Sequence, residues 1–274
     1  MLTRARQLTI GVFDSGVGGL TVARALLRGL PGVRLLYLAD TAHVPYGGRP
    51  LAQVRSFALQ IIEFLFAQGA EVVVPGCNMS IASSAVEEAQ RRFGKPVFEI
   101  IRPGARAARA ASRSGAIGVI ATQGTVNSGI YGRRLREAGA AQVIEQACPK
   151  FVPLVERGLA GGPEVEAAVT EYLTPVRDAG VDTLVFGCTH YPFLREAIQD
   201  FMGDGVALVD PGEHVVEELT AHYSDRLVTN DNPGHHFFCS GDPESLRREG
   251  GRFLGLPIDH VEQVDVPVEE PELV

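Results

Sequence analysis

Two strings in this chain each occur twice, at nearly the same offset. That repetition constrains the fold more than any single motif does. Thr9-Ile10-Gly11-Val12-Phe13-Asp14-Ser15-Gly16 is echoed by Ala116-Ile117-Gly118-Val119-Ile120-Ala121-Thr122-Gln123-Gly124. Glu71-Val72-Val73-Val74-Pro75-Gly76-Cys77-Asn78 is echoed by Asp182-Thr183-Leu184-Val185-Phe186-Gly187-Cys188-Thr189. Two matches in the same order at nearly one offset point to an internal duplication, so the chain should build two similar lobes.

Each repeated string is a short apolar run that ends in small or polar residues, as a buried parallel strand does. Strands are expected at Leu8 to Phe13, Arg34 to Ala39, Glu71 to Val74 and from Lys95 to Phe98, and helices at Leu20 to Arg28, Leu51 to Gln68 and through Ala82 to Arg92. In the long helix Val54, Phe57, Ala58, Ile61, Ile62 and Leu65 fall on one face. Strands alternating with helices mean βαβ units and parallel sheets. The expected fold is therefore α/β, with two similar lobes of parallel βαβ units, pseudo-twofold related, and an active site between them. The expected first lobe is residues 1–100 plus 210–274, carrying the Asp14 and Cys77 loops. The second is residues 101–209, carrying the Thr122 and Cys188 loops. The crossover is placed near Ile100 to Pro103 and the return near Asp210-Pro211-Gly212, with a loose acidic tail from Val268 to Val274.

Composition removes several classes of function. With 274 residues, 45% hydrophobic and 21% charged, the chain can bury a core without disulfide staples. A formal net charge of -8 argues against a general nucleic-acid binder, which needs clustered Lys and Arg. No stretch reaches the length of a membrane span, and no apolar run follows the basic start, so no membrane and no signal peptide are expected. Cys77, Cys148, Cys188 and Cys239 contain no Cys-x-x-Cys pair, which argues against a zinc site or a disulfide framework and for free thiols in the cytoplasm.

Ligands of open parallel sheets bind at the carboxyl ends of the strands. Four loops occupy such ends: Asp14-Ser15-Gly16, Gly76-Cys77-Asn78, Ala121-Thr122-Gln123-Gly124-Thr125 and Gly187-Cys188-Thr189-His190. Their hydroxyls, amides and backbone N–H groups suit a carboxylate. Gly16-Val17-Gly18-Gly19 matches neither dinucleotide nor P-loop spacing. One buried Gly-Cys is ordinary core, but two at matched positions of two lobes would set one thiol against the other. Asp14 is a proton-handling neighbour for Cys77, and His190 for Cys188. A pair of opposed thiols suits racemisation, in which one removes a proton from a carbon stereocentre and the other returns one to the opposite face.

The matching residues extend over nearly the whole chain. Gly11-Val12-Phe13-Asp14-Ser15-Gly16-Val17-Gly18-Gly19-Leu20-Thr21-Val22 is followed by Tyr37-Leu38-Ala39-Asp40, Pro45-Tyr46-Gly47, Gly118 to Thr125, Cys148-Pro149-Lys150-Phe151-Val152-Pro153-Leu154-Val155-Glu156, Gly187-Cys188-Thr189-His190-Tyr191-Pro192-Phe193-Leu194 and Ser240-Gly241-Asp242-Pro243. In these strings the chain resembles the glutamate racemases, within the cofactor-independent aspartate/glutamate racemase group. The resemblance implies interconversion of L- and D-glutamate without cofactor or metal, supplying D-glutamate for peptidoglycan, by a homodimer. It implies that Cys77 and Cys188 are the two bases, that Asp14 and His190 assist them, and that Glu156 is a further acidic residue of the site. It implies substrate contacts at Asp14, Ser15, Tyr46, Gly47, Asn78, Met79, Thr122, Thr125, Thr189 and His190.

One position departs from the family. The family reads Cys-Asn-Thr after the third strand, whereas this chain has Cys77-Asn78-Met79-Ser80. Met79 cannot supply a hydroxyl, which bears on substrate affinity or choice more than on proton transfer. A racemase of another acidic amino acid, chiefly aspartate, is the nearest rival. A Cys188–His190 hydrolase would leave Cys77 unexplained, and a binding protein without catalysis would leave both thiols unexplained.

Overall fold

The computed structural model describes residues 7–227, 230 and 233–266. The basic start before Gln7 and the acidic end from Val268 lie outside them. The chain divides into two compact units, Met1–Ile100 with Val215–Val274, and Ile101–His214. The second crossing falls at Val215, inside the helix Pro211–Tyr223, rather than in the Asp210-Pro211-Gly212 turn.

The strands in chain order are β1 (Thr9–Asp14), β2 (Arg34–Ala39), β3 (Val72–Pro75), β4 (Ala116–Ala121), β5 (Gln142–Ala147), β6 (Thr183–Gly187), β7 (Ala207–Val209), β8 (His236–Cys239) and β9 (Glu262–Gln263). The first unit holds a sheet of order β3-β1-β2-β8-β9, the second a sheet of order β5-β4-β6-β7. Every pairing in both is parallel. The first strand of each unit sits between the second and the third: β1 between β2 and β3, β4 between β5 and β6. The echoed glycines hold the same register, Gly11 opposite Leu36 and Val73, Gly118 opposite Ile144 and Leu184. The repeat in sequence is thus a repeat in topology.

The same glycine does the same packing job twice. A Cβ on Gly11 would lie 3.1 Å from Ala70 Cβ and 3.2 Å from Leu65 Cβ, at the end of the helix Leu51–Ala67. A Cβ on Gly118 would lie 2.7 Å from Val176, on the helix Pro163–Asp178. Each helix can press onto its sheet only where the strand has no side chain. Strands β1 and β3 are buried along their whole length, as strands covered on both faces must be. The apolar stripe of Leu51–Ala67 is buried at Val54, Phe57, Ala58, Ile61, Ile62 and Leu65.

Two local expectations need correction. The helix expected through Ala82 to Arg92 is broken into Asn78–Ala82 and Ala85–Phe93 by Ser84, whose φ of 65° is left-handed. Lys95 to Phe98 forms no strand, only an isolated bridge between Val73 and Val97. Val73 N–H donates to the Pro96 carbonyl and Phe98 N–H to the Val73 carbonyl. Pro96 has no N–H to extend that ladder, and Gly94 turns the chain just before it with a φ of 60°.

Candidate active site

In the first unit the functional side chains gather at the carboxyl ends of β1, β2 and β3. Asp14 ends β1 and is buried. Ser15, next to it, donates to Asp14 Oδ1 over 3.1 Å. The glycine loop that follows is pressed against this carboxylate: a Cβ on Gly19 would lie 2.6 Å from Asp14 Cβ, and one on Gly76 would lie 2.9 Å from Gly19 Cα. These glycines let the β1 and β3 loops touch backbone to backbone. Tyr37 on β2 props the loop from beneath, its hydroxyl donating to the Gly16 carbonyl at 2.7 Å.

Cys77 follows β3 as the N-cap of Asn78–Ala82. It is buried, and burial followed by the Asp14 carboxylate pushes its thiol up to about 12. The Ser80 and Met79 backbone N–H groups and the Ser80 hydroxyl act the other way. Tyr37 is raised as well, chiefly by its own burial and then by Asp14 and Cys77, so Asp14, Tyr37 and Cys77 share one electrostatic neighbourhood. Asn78, Met79 and Ser80 are all buried. Met79 packs with Cys77, Tyr46, Val54 and Phe57 in an apolar cluster. Its side chain thus helps to wall in the thiol.

Tyr46 opens the short turn Tyr46–Gly48, just after the cis Val44–Pro45 peptide, and Gly47 lies within that turn. The Tyr46 hydroxyl donates to Asp40 Oδ2 at 2.5 Å, and Ser240 donates to Asp40 Oδ1 at 2.6 Å. His43 Nδ1 lies 2.8 Å from the same oxygen. Asp40 therefore ties the loop after β2 to the loop after β8.

The second unit arranges its loops on the same plan with different chemistry. Thr122, after β4, caps Gln123–Ser128 by accepting from Thr125 N–H, and the two threonine hydroxyls lie 3.0 Å apart. Cys188 follows β6 and is buried with Thr189 and His190. Cys188 Sγ lies 3.9 Å from His190 Nδ1, and His190 Nε2 lies 3.5 Å from Glu156 Oε1. Glu156 closes the helix Phe151–Glu156 and stays about half exposed. Tyr191 locks the loop: its N–H donates to the Cys188 carbonyl and its hydroxyl to the Cys148 carbonyl. Cys148 is fully buried, and burial followed by the Cys188 charge pushes its thiol well up.

Each unit thus assembles its own predicted residues: Asp14, Ser15, Cys77, Asn78 and Met79 with Tyr46 and Gly47 in the first, and Thr122 with Thr125 and Cys188, Thr189 and His190 with Glu156 in the second. Sequence reasoning did not single out Tyr37, Asp40, Ser80 or Tyr191 as site residues. Tyr37 and Asp40 lie in a recognisable string, and a buried tyrosine next to a strand-end aspartate is the available signal. All four cysteines are free, and among the described residues no cluster of three His, Cys, Asp or Glu side chains is arranged to hold a metal ion. Among the same residues no helix is long and apolar enough to cross a membrane.

Two parallel sheets of like topology, each with a buried Gly-Cys just after its third strand, and with a carboxylate near one thiol and an imidazole near the other, define an α/β protein of two similar units. A family model described as Asp/Glu/Hydantoin racemase matches residues 10–219. The glutamate racemase of Beutenbergia cavernae is 46% identical, the match covering 96% of each chain. The structure of glutamate racemase isoform RacE1 from Bacillus anthracis superposes with a TM-score of 0.90 at 37% identity, covering 97% of this chain and 100% of that one. That of the Francisella tularensis glutamate racemase in complex with D-glutamate superposes with a TM-score of 0.86 at 32% identity, covering 95% and 98%. The chain belongs to the Asp/Glu/Hydantoin racemase family and is a racemase.

Proposed function

We propose that this racemase interconverts L- and D-glutamate by a two-base mechanism at Cys77 and Cys188. The observation that carries the reading is the pair of buried thiols at matched strand ends, in a chain that is similar over nearly its full length to glutamate racemases. One cysteine, as thiolate, takes the α-proton and leaves the bonding pair on Cα. The other, as thiol, delivers its own proton to the opposite face. The enzyme ends with the two protonation states exchanged, and the reverse reaction starts from there. No electron is gained or lost, so no redox partner is called for.

Each thiol has a neighbour able to move its proton. Burial keeps Cys77 protonated in the resting protein, which suits it to donate, and Asp14 beside it is placed to receive that proton when Cys77 must act as base. His190 serves Cys188 in the same way, with the Glu156 carboxylate 3.5 Å from its Nε2, close enough to favour the imidazolium when it forms. Ser15, Asn78, Thr122, Thr125 and Thr189 offer hydroxyl, amide and N–H donors for the two carboxylates of glutamate, and Tyr46 and Gly47 present the turn after β2. The D-glutamate formed is directed to peptidoglycan in the cytoplasm, and the enzyme works as a homodimer, which light scattering at micromolar concentration tests.

Incubation of the purified chain with L-glutamate in D₂O, without added cofactor, tests the activity. Optical rotation should fall to zero while deuterium enters at Cα. Deuterium-free, optically unchanged glutamate would exclude racemisation of this substrate, and the same assay with L-aspartate separates the nearest rival. Release of a hydrolysis product from an ester or amide of glutamate would favour a Cys188–His190 nucleophile instead.

A further inference from the structure

Ser80 is fully buried, one helical turn beyond Cys77, and its N–H donates to the Cys77 carbonyl at 3.1 Å. Cys77 is the N-cap of Asn78–Ala82, which makes Ser80 the third residue of that helix. In a capping box the third helical side chain reaches back toward the cap residue. The Ser80 side chain is not consumed by the local backbone. Among the described residues its buried Oγ has no hydrogen-bond partner, and the Cys77 carbonyl already accepts from the Ser80 and Ile81 N–H groups. Ser83, three residues on, shows the contrast: its hydroxyl donates to the Ser80 carbonyl at 2.6 Å. A buried hydroxyl without a partner is costly and calls for an explanation in what lies around it.

The neighbouring group that changes state is the Cys77 sulfur. The groups facing it are the Asp14 carboxylate from the end of β1, the Tyr37 hydroxyl from β2, the Tyr46 hydroxyl from the turn after β2, and the start of its own helix. Asp14 opposes a negative sulfur. Tyr37 and Tyr46 have committed their protons, to the Gly16 carbonyl and to Asp40. The Ser80 hydroxyl is a side-chain donor at this thiol that makes no other hydrogen bond among the described residues.

We propose that Ser80 is a positioning residue for proton transfer, its hydroxyl donating to the Cys77 sulfur when that sulfur is the thiolate and standing idle when it is the thiol. The inference rests on the reading of Cys77 as one of the two bases. A donor that bonds the ionised form alone eases its formation. The Ser80 hydroxyl does favour ionised Cys77, against burial and Asp14. The role concerns the thiol and not the substrate, so it differs from a replacement for the hydroxyl that Met79 lacks.

The test is the pH profile of kcat/KM for glutamate in the full-length chain, whose limbs report ionisations of the free enzyme. Ser80→Ala should move the limb belonging to Cys77 up by about one pH unit and lower kcat/KM about tenfold near neutrality. Ser80→Thr, which keeps the hydroxyl, should restore both to within about twofold. If Ser80→Ala does not fold, by circular dichroism and melting, Ser80→Cys replaces it and should show the same displacement, because a thiol is a weak donor. An unmoved profile in Ser80→Ala overturns the proposal, as does a Thr variant as impaired as the Ala variant, which would make the role one of packing. Cys77→Ala distinguishes the premise: if it still racemises glutamate, the two-base reading fails whatever Ser80 does.

Discussion

The Cys77 and Cys188 loops stand on the same scaffold and differ in everything around the sulfur. Both follow the third strand of a parallel sheet whose first strand lies in the middle. Beside Cys77 stand a carboxylate and apolar side chains, Met79, Phe57 and Val54, so burial and Asp14 hold it as a thiol. Beside Cys188 stands an imidazole, 3.9 Å away, with Glu156 behind it. The two matched positions thus differ in their neighbours, a carboxylate beside one thiol and an imidazole beside the other. An acid–base pair gains from such a split, because at any instant one member must hold a proton and the other must lack it.

The largest effect expected is from removing either sulfur. Cys77→Ala and Cys188→Ala should each lower racemisation by about a thousandfold or more while leaving the circular dichroism spectrum unchanged. Chiral chromatography of reactions run from each enantiomer reads the loss. Appreciable turnover by one variant alone would mean that the two loops are not partners and would end the comparison.

Exchanging the neighbours comes next. Asp14→Asn and His190→Gln should each reduce kcat/KM by about a hundredfold, equally from L- and D-glutamate, since the two enantiomers have equal free energy. The pH profiles should tell the loops apart. Loss of the Asp14 charge eases Cys77 ionisation and moves its limb to lower pH, whereas His190→Gln leaves the Cys77 limb in place. Identical displacement in both variants would show that the thiols titrate as one unit.

Alkaline stability sharpens the contrast further. Cys77 in the folded protein is pushed up to about 12, above the value of about 8.5 for a free thiol. A raised group contributes stability that is fully present below the unfolded pKa and is lost as pH rises toward the folded one. Urea unfolding should therefore show stability falling between about pH 8.5 and pH 12, and Cys77→Ala should lose about 3 kcal/mol less at about pH 10.5. Equal loss in the variant would mean that Cys77 is open to solvent.

The smallest effect belongs to a second difference between the lobes. Register places Tyr37 opposite Val12 and Glu145 opposite Val119, at the same point of the repeat. Strand β2 is covered by β8, whereas β5 is an edge strand. Glu145 is half-buried there, and burial raises its carboxyl, opposed by the Gly132 N–H and by Arg136 and Arg133. Its stabilising contribution is present at acid pH and is lost once the carboxyl ionises, so Glu145→Gln should be more stabilising near pH 7 than near pH 4. Thermal melts at the two pH values check it, and destabilisation near pH 7 would mean that the arginines outweigh burial.

Much of this was open to reading in one dimension. Parallel strands buried on both faces appear as apolar runs, and a loop that must lie flat against another appears as glycine, so β1, β3, β4 and β6 and the loops after them carry local signatures. The two cysteines were legible because the repeat places them at matched strand ends. The break at Ser84 was not legible, since nothing in a serine demands a left-handed backbone, whereas Gly94 and Pro96 did carry the signal against a full strand at Val97, outweighed by the apolar residues beside them.

By itself, then, the amino-acid order determined that the chain is α/β, that it repeats, and that Asp14, Cys77, Cys188 and His190 sit at strand ends, because periodicity and glycine placement are properties of neighbouring residues. Only the tertiary structure decided which side chains face each sulfur. Strand β8 comes from almost two hundred residues beyond β2, and its following loop brings Ser240 onto Asp40. Tyr37 reaches Gly16 across the sheet, and Ser80 is buried in the first turn of the short helix that Cys77 caps. Burial and charge act through space over a few ångströms, and positions far apart in the chain become neighbours only when the strands of a sheet pair and its helices pack.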